Sequence, residues 1–156
     1  MIRDHGPSMM RLVAAYESNR ANRDDLIQEI ALALWKALPR FRGECSERTL
    51  LLRIAHDRAL THVWRRRQSP AELDRPGEVP DRRATPESHA SAVEMRDRLL
   101  AAVRELPIGH RQVIVLLLEG MSHAEIAAVL GISEGNVAVR ANRARSELRD
   151  RLEELR

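Results

Sequence analysis

The apolar positions fall at helical rather than strand spacing. From Arg23 to Leu38, Leu26, Ile30, Ala33, Leu34 and Ala37 recur at three- and four-residue steps and predict one buried stripe. Asn22 is placed to cap this helix, Asp24 and Asp25 favour its positive N-terminal end, and Pro39 stops it. A turn around Gly43 leads to a second helix, Glu47 to about Arg67, where Leu51, Ile54, Ala55 and Ala59 alternate with arginines. A short helix near Met9 to Tyr16 is expected to pack on this pair. Farther on, Ala92 to Leu106 is amphipathic through Val93, Leu99, Leu100 and Val103. Pro107 opens the next helix, at a position that tolerates proline. That helix is apolar through Val113, Ile114, Leu116, Leu117 and Leu118, and Gly120 ends it.

The stretch "MSHAEIAAVLGISEGNVAVRANRARSELR", Met121 to Arg149, reads as two helices around a glycine. Ser122 and Glu125 have capping-box spacing. Ile126, Ala127 and Leu130 form the inner face of the first helix, and Gly131 can take the left-handed conformation that ends it. Ser133 caps the second, whose stripe is Val137, Ala141, Ala144 and Leu148. A short helix, a tight glycine turn and a longer helix fit a helix-turn-helix, whose second helix enters the major groove. An ordinary helical hairpin is the plainer alternative. Asn136, Arg140 and Arg143 lie on one side of the stripe, Asn142 and Arg145 on the other, and such residues can touch bases and phosphates.

Between the blocks, "RQSPAELDRPGEVPDRRATPESHA" holds Pro70, Pro76, Pro80 and Pro86 and no apolar periodicity. Repeated prolines remove backbone donors and restrict their predecessors. The segment reads as a flexible tether, with a structured surface loop as the other reading. The chain is thus expected to be all-α: two small helical domains, 1–67 and 91–156, joined by a flexible linker, 68–90.

Composition agrees. Of 156 residues, 44% are hydrophobic and only 3% aromatic, which suits helix packing better than a β-sandwich. No apolar run is long enough to span a bilayer, so no membrane insertion is expected. The start, "MIRDHGPSMM", has no long apolar core and does not read as a secretory signal. The single cysteine, Cys45, excludes an intrachain disulfide and fits a reducing compartment.

Charge sharpens two faces. Net charge is only +3, but Lys36 is the sole lysine, so almost every cation is an arginine. Arginine forks onto phosphate oxygens, although a GC-rich genome produces the same bias. From Arg48 to Arg67, six arginines face one acid, Asp57, and Trp64 stands beside the closing Arg65–Arg67 run. This suits a phosphate backbone, or equally a solvated helix end. The helix before it carries Asp25, Gln28, Glu29, Leu32 and Trp35 off its core stripe. Carboxylates beside Leu and Trp suit docking to another protein, or a solvated face with Trp35 tucked inward.

A resemblance separates these readings. "DDLIQEIALALWKALPRFRGE" and the basic helix after it resemble region two of bacterial RNA polymerase sigma factors. "ELPIGHRQVIVLLLEGMSHAEIAAVLGISEGNVAVRANRARSELR" resembles their region four. The short chain, with only a tether between, resembles the extracytoplasmic-function (ECF) group. The resemblance covers most of Met9 to Leu152 and rests on two motifs in the expected order.

It implies a cytoplasmic promoter-recognition subunit with no cofactor, no catalytic residue and no metal. Asp25, Leu26, Gln28 and Glu29 match the family's "DLxQE" motif, implying that they, with Leu32 and Trp35, hold the β′ clamp helices of core RNA polymerase. Arg42, Arg48, Arg53, Arg58, His62, Arg65 and Arg66 fall in the part that opens and reads the minus-ten element. Ser133, Asn136, Arg140, Asn142, Arg143 and Arg145 match the minus-thirty-five reading helix and its flank. The helix from Ile108 to Glu119 corresponds to the part that meets the β flap, and the tether to the part in the RNA exit path. Many members are held inactive by an anti-sigma factor, which makes such an inhibitor an implied partner.

The chain departs from the family at several positions. "RTLLLRIA", Arg48 to Ala55, stands where "RTWLYRIA" is frequent, so Leu50 and Leu52 replace aromatics. Asp57 stands where Asn is frequent, and Val139 and Ala141 where Ser and Leu are common. Three other functions compete. A LuxR-type regulator shares the helix-turn-helix, but its front half should alternate strands with helices. An enzyme would need a site, yet the six histidines make no metal-ligand spacing and Cys45 has no partner base. The third is a scaffold without DNA contact.

Overall fold

The computed structural model describes residues 1–69 and 87–154, the side chains of 87–89 excepted. Every regular element among them is a helix: α1 (Ile2–Tyr16), α2 (Arg20–Ala37), α3 (Glu47–Gln68), α4 (Glu87–Glu105), α5 (Ile108–Leu118), α6 (His123–Leu130) and α7 (Glu134–Glu154). A 3-10 turn, Leu38–Arg40, follows α2 around Pro39. The chain divides into two compact units, Met1–Glu78 and Val79–Arg156. The expected tether lies, over 70–86, outside the described residues. Its outer ends are helical: Gln68 belongs to α3, and α4 starts at Glu87 rather than near Ala92.

In the first unit α3 packs on both α1 and α2. Leu12 and Val13 of α1, Leu26, Ile30 and Leu34 of α2, and Leu51, Leu52, Ala55 and Ala59 of α3 are fully enclosed. Each fully buried Leu or Ile stabilises the fold by about 1.5–3 kcal/mol relative to exposure. α1 is longer than its pattern suggests, because it carries Gly6 and Pro7 inside its first turns. Proline there forgoes a single amide donor, and the packing of Leu12, Val13 and Tyr16 offsets that loss. The cap of α2 is Asn19, not Asn22: Asn19 Oδ1 accepts the Asn22 amide at 3.2 Å, so the helix begins at Arg20. Ser46 caps α3 in the same way, accepting the Thr49 amide at 3.0 Å.

In the second unit α7 is the central strut, contacting α4, α5 and α6. Val137, Ala141 and Ala144 give it a buried stripe of small side chains, and Val113 and Leu116 of α5 and Ile126 of α6 are buried too. Arg111, 8% exposed, donates to the carbonyls of Arg104 and Leu106 and so satisfies acceptors at the C-terminal end of α4.

Candidate nucleic-acid interface and docking face

The helix-turn-helix is built as its capping residues dictate. Ser122 Oγ accepts the Glu125 amide at 3.1 Å, while Glu125 Oε2 accepts the Ser122 amide at 2.7 Å. Gly131 ends α6 with φ +66, a left-handed conformation that an L side chain rarely adopts. The Ile132 amide then reaches the Ala127 carbonyl at 3.2 Å. Ser133 Oγ accepts the Asn136 amide at 3.1 Å, so it serves α7 first as a cap. Asn136, Asn142, Arg143 and Arg145 are exposed on α7. Arg140 is half-buried; a Cβ added at Gly109 of α5 would lie 3.3 Å from its Nη1, so the guanidinium rests over that glycine. On α5 the large apolar side chain that is exposed is Leu118 (57%); Val113 through Leu116 are core.

The α2 docking candidates separate by burial. Asp25, Gln28 and Glu29 are exposed, as are Leu32 at 53% and Trp35 at 71%, so Trp35 is not tucked inward. Leu26 has no exposed surface and cannot touch a partner directly. Its place in the motif is a core position, one helical turn before Ile30.

The minus-ten candidates, Arg42 in the loop before α3 and the rest on α3, separate as well. Arg42, Arg58 and Arg65 are exposed; Arg48 and Arg53 are half-buried. His62 and Arg66 turn inward onto Glu17, whose side chain is completely buried. His62 Nε2 lies 2.7 Å and Arg66 Nη1 2.5 Å from Glu17 Oε2. The Asn19 amide donates to Glu17 Oε1 at 2.8 Å. Burial alone would raise the Glu17 carboxyl; the hydrogen bonds from His62 and Asn19 and the Arg66 charge outweigh it and hold the pKa at about 2. His62 and Arg66 therefore position the basic end of α3 and are already spent on a carboxylate. Burial lowers His56, in the core beside Tyr16, to about 4. Partial desolvation raises the carboxyl of exposed Asp57, against the opposing charges of Arg53 and Arg58.

Three further contacts shape this unit. Glu17 joins partners 45 and 49 residues away. The Arg67 guanidinium lies 5.8 Å from the ring centre of exposed Trp64. Arg65 Nη1 approaches Glu29 Oε1 at 3.8 Å, linking the basic helix to the docking face. Among the described residues no group of three His, Cys, Asp or Glu is placed to hold a metal ion.

A three-helix unit with an exposed acidic-aromatic face, followed by a capped helix-turn-helix unit, defines a class of helical transcription factors. The family models agree: Sigma-70 region 2 matches residues 1–69 and Sigma-70 region 4 matches 96–148. The chain is 33% identical over 135 residues to the ECF RNA polymerase sigma factor SigC of Mycobacterium tuberculosis, covering 86% of this chain and 72% of SigC. It is 31% identical over 157 residues to the RNA polymerase sigma factor CnrH of Cupriavidus metallidurans, covering 95% and 82%. The solved structure of CnrH in complex with the cytosolic domain of CnrY matches with a TM-score of 0.71 at 28% identity, over 98% of this chain and 85% of that one. RpoE of Bartonella quintana, solved with the anti-sigma factor NepR, shares the fold with a TM-score of 0.76 at 18% identity, over 97% and 94%. The chain belongs to the ECF group of RNA polymerase sigma factors. A region-two match over the front half leaves the LuxR-type reading unsupported.

Proposed function

We propose that this sigma factor binds core RNA polymerase through the exposed face of α2 and carries it to promoters read by its two units. Asp25, Gln28, Glu29, Leu32 and Trp35 form the face for the β′ clamp helices. Arg42, Arg58 and Arg65, with half-buried Arg48 and Arg53, serve the minus-ten element. Asn136, Asn142, Arg143 and Arg145, with Arg140 at the edge, serve the minus-thirty-five element, and Leu118 is the apolar point for the β flap. The chain performs no catalysis and works in the cytoplasm, where the polymerase is. No described helix is long and apolar enough to cross a membrane. The two domains expected from the sequence, 1–67 and 91–156, each take one promoter element. An anti-sigma factor that covers the core-binding face is the expected inhibitor; CnrH was solved with the cytosolic domain of CnrY, and RpoE of Bartonella quintana with the anti-sigma factor NepR.

The observation that carries this reading is the exposure of Leu32 and Trp35 beside Asp25 and Glu29, in a chain that also holds a capped helix-turn-helix. Apolar side chains rimmed by polar ones mark a protein contact. The test is binding of the full chain to purified bacterial core polymerase, followed by run-off transcription from a fragment library. Tight binding with new, sequence-selective transcripts is expected. Duplex DNA retention without core binding would overturn the reading.

A further inference from the structure

Val139 is an anomaly on α7. It lies two residues from Val137 and two from Ala141, each about 200° around the helix, so it points directly away from the buried stripe. Its side chain is 49% exposed. Valine is a poorer residue for an exposed helix than alanine, because its branched carbon loses rotamer freedom, so folding does not account for it here.

The surroundings do. On a helix the surface neighbours of residue 139 stand three and four positions away. They are Gly135, Asn136, Asn142 and Arg143, all exposed. The apolar group is ringed by two amides, one guanidinium and a bare patch of backbone. A Cβ added at Gly135 would meet nothing closer than Ser133 Oγ at 3.9 Å. Glycine is thus not required there by packing, and its effect is to let another surface approach the first turn of α7. In a major groove, Asn pairs with adenine, Arg with guanine, and an apolar side chain meets the one apolar group on a base edge, the thymine methyl.

We propose that Val139 is a specificity-determining residue that reads the 5-methyl group of a thymine, with Gly135 allowing the approach. This rests on the reading of α7 as the helix that contacts the upstream promoter element. Asn136 or Asn142 would read an adjacent adenine and Arg143 an adjacent guanine.

The test uses the full chain assembled with bacterial core polymerase. Transcription from a library randomised upstream defines the preferred element. Each thymine in it is then replaced by deoxyuridine, which lacks only the methyl group. One replacement should lower promoter binding by the native chain about fourfold, the value of one buried methyl-sized group. Val139→Ser, at an exposed site, should melt with the native chain and bind both promoters equally. An element without thymine, no loss at any thymine, or an equal loss in Val139→Ser would overturn the methyl assignment while leaving promoter selection standing. A library yielding transcripts with no upstream preference would overturn both this assignment and the role given to α7.

Discussion

His62 Nε2 lies 2.7 Å from Glu17 Oε2, and that carboxylate has no exposed side-chain surface. With Arg66 on the same oxygen, the pair ties the basic end of α3 to the corner between α1 and α2. Glu17→Gln should therefore lower the stability of the first unit by about 2 kcal/mol, because an anion that offsets two donors is lost. The contribution also has a pH window. The folded pKa of about 2 lies below the ordinary 4.5, so the unfolded chain takes up the proton first. Stabilisation is complete above pH about 4.5 and disappears as pH falls toward 2. Thermal melts of native and Gln variants should converge across that range.

A second acid effect sits higher. His56 is 2% exposed and held near 4, below the ordinary 6.5. The unfolded chain again binds the proton first, so stability is full above pH 6.5 and declines as pH falls toward 4. Between pH 7.5 and 5 the loss amounts to about 2 kcal/mol. His56→Leu should flatten the dependence of Tm on pH in that interval. An unchanged slope would place the sensitivity elsewhere.

The members of the α2 motif should behave in two ways. Trp35→Ala should leave the melting temperature unchanged and weaken core polymerase binding about thirtyfold, as an exposed interface anchor does. Charge reversal at Asp25 and Glu29 should act in the same direction. Leu26→Ala should instead destabilise the unit by about 3 kcal/mol through the cavity it leaves. Binding measured beside a denaturant titration separates the two classes.

Much of this was legible in the chain. Leu26, Ile30 and Leu34, or Val137, Ala141 and Ala144, repeat at the spacing that buries them, and Ser122, Glu125 and Gly131 are local signals acting over three to six residues. What stayed hidden depends on distance or on competition between neighbours. Glu17 meets His62 and Arg66 only once α1 and α3 have packed, so the spacing along α3 groups His62 and Arg66 with the arginines of the minus-ten set and does not show the carboxylate. Asn19 and Asn22 are the same residue type, suited to capping, and Asn19 takes the role because its Oδ1 accepts the Asn22 amide. The helix expected near Met9 to Tyr16 extends back to Ile2 through Gly6 and Pro7, two residues that local propensity alone disfavours in a helix.

On the recognition helix, Arg143→Ala should weaken promoter binding by about 1 kcal/mol or more, and a phosphate contact there would lower the salt slope by about one. Arg66→Ala should show mainly a stability loss, because it uncovers the buried Glu17 carboxylate. Competition binding at two salt concentrations, with melts on each variant, distinguishes these outcomes.

Gly135→Ala makes a further contrast. The added Cβ has room, with Ser133 Oγ at 3.9 Å. The variant should gain about 0.5 kcal/mol of stability, since alanine is the better helix former. It should nevertheless bind its promoter less tightly than the native chain. A gain in both would show that nothing approaches that turn closely.

The Arg111 side chain, closing the end of α4 onto α5, has a mechanical consequence. The carbonyls of Arg104 and Leu106 are held by one buried guanidinium, and α4 and α5 both rest on α7. The N-terminal half of α4, exposed from Ala90 to Arg96, is thus a lever on a braced corner. A load on that half is therefore borne at a joint where one side chain of α5 fastens the end of α4.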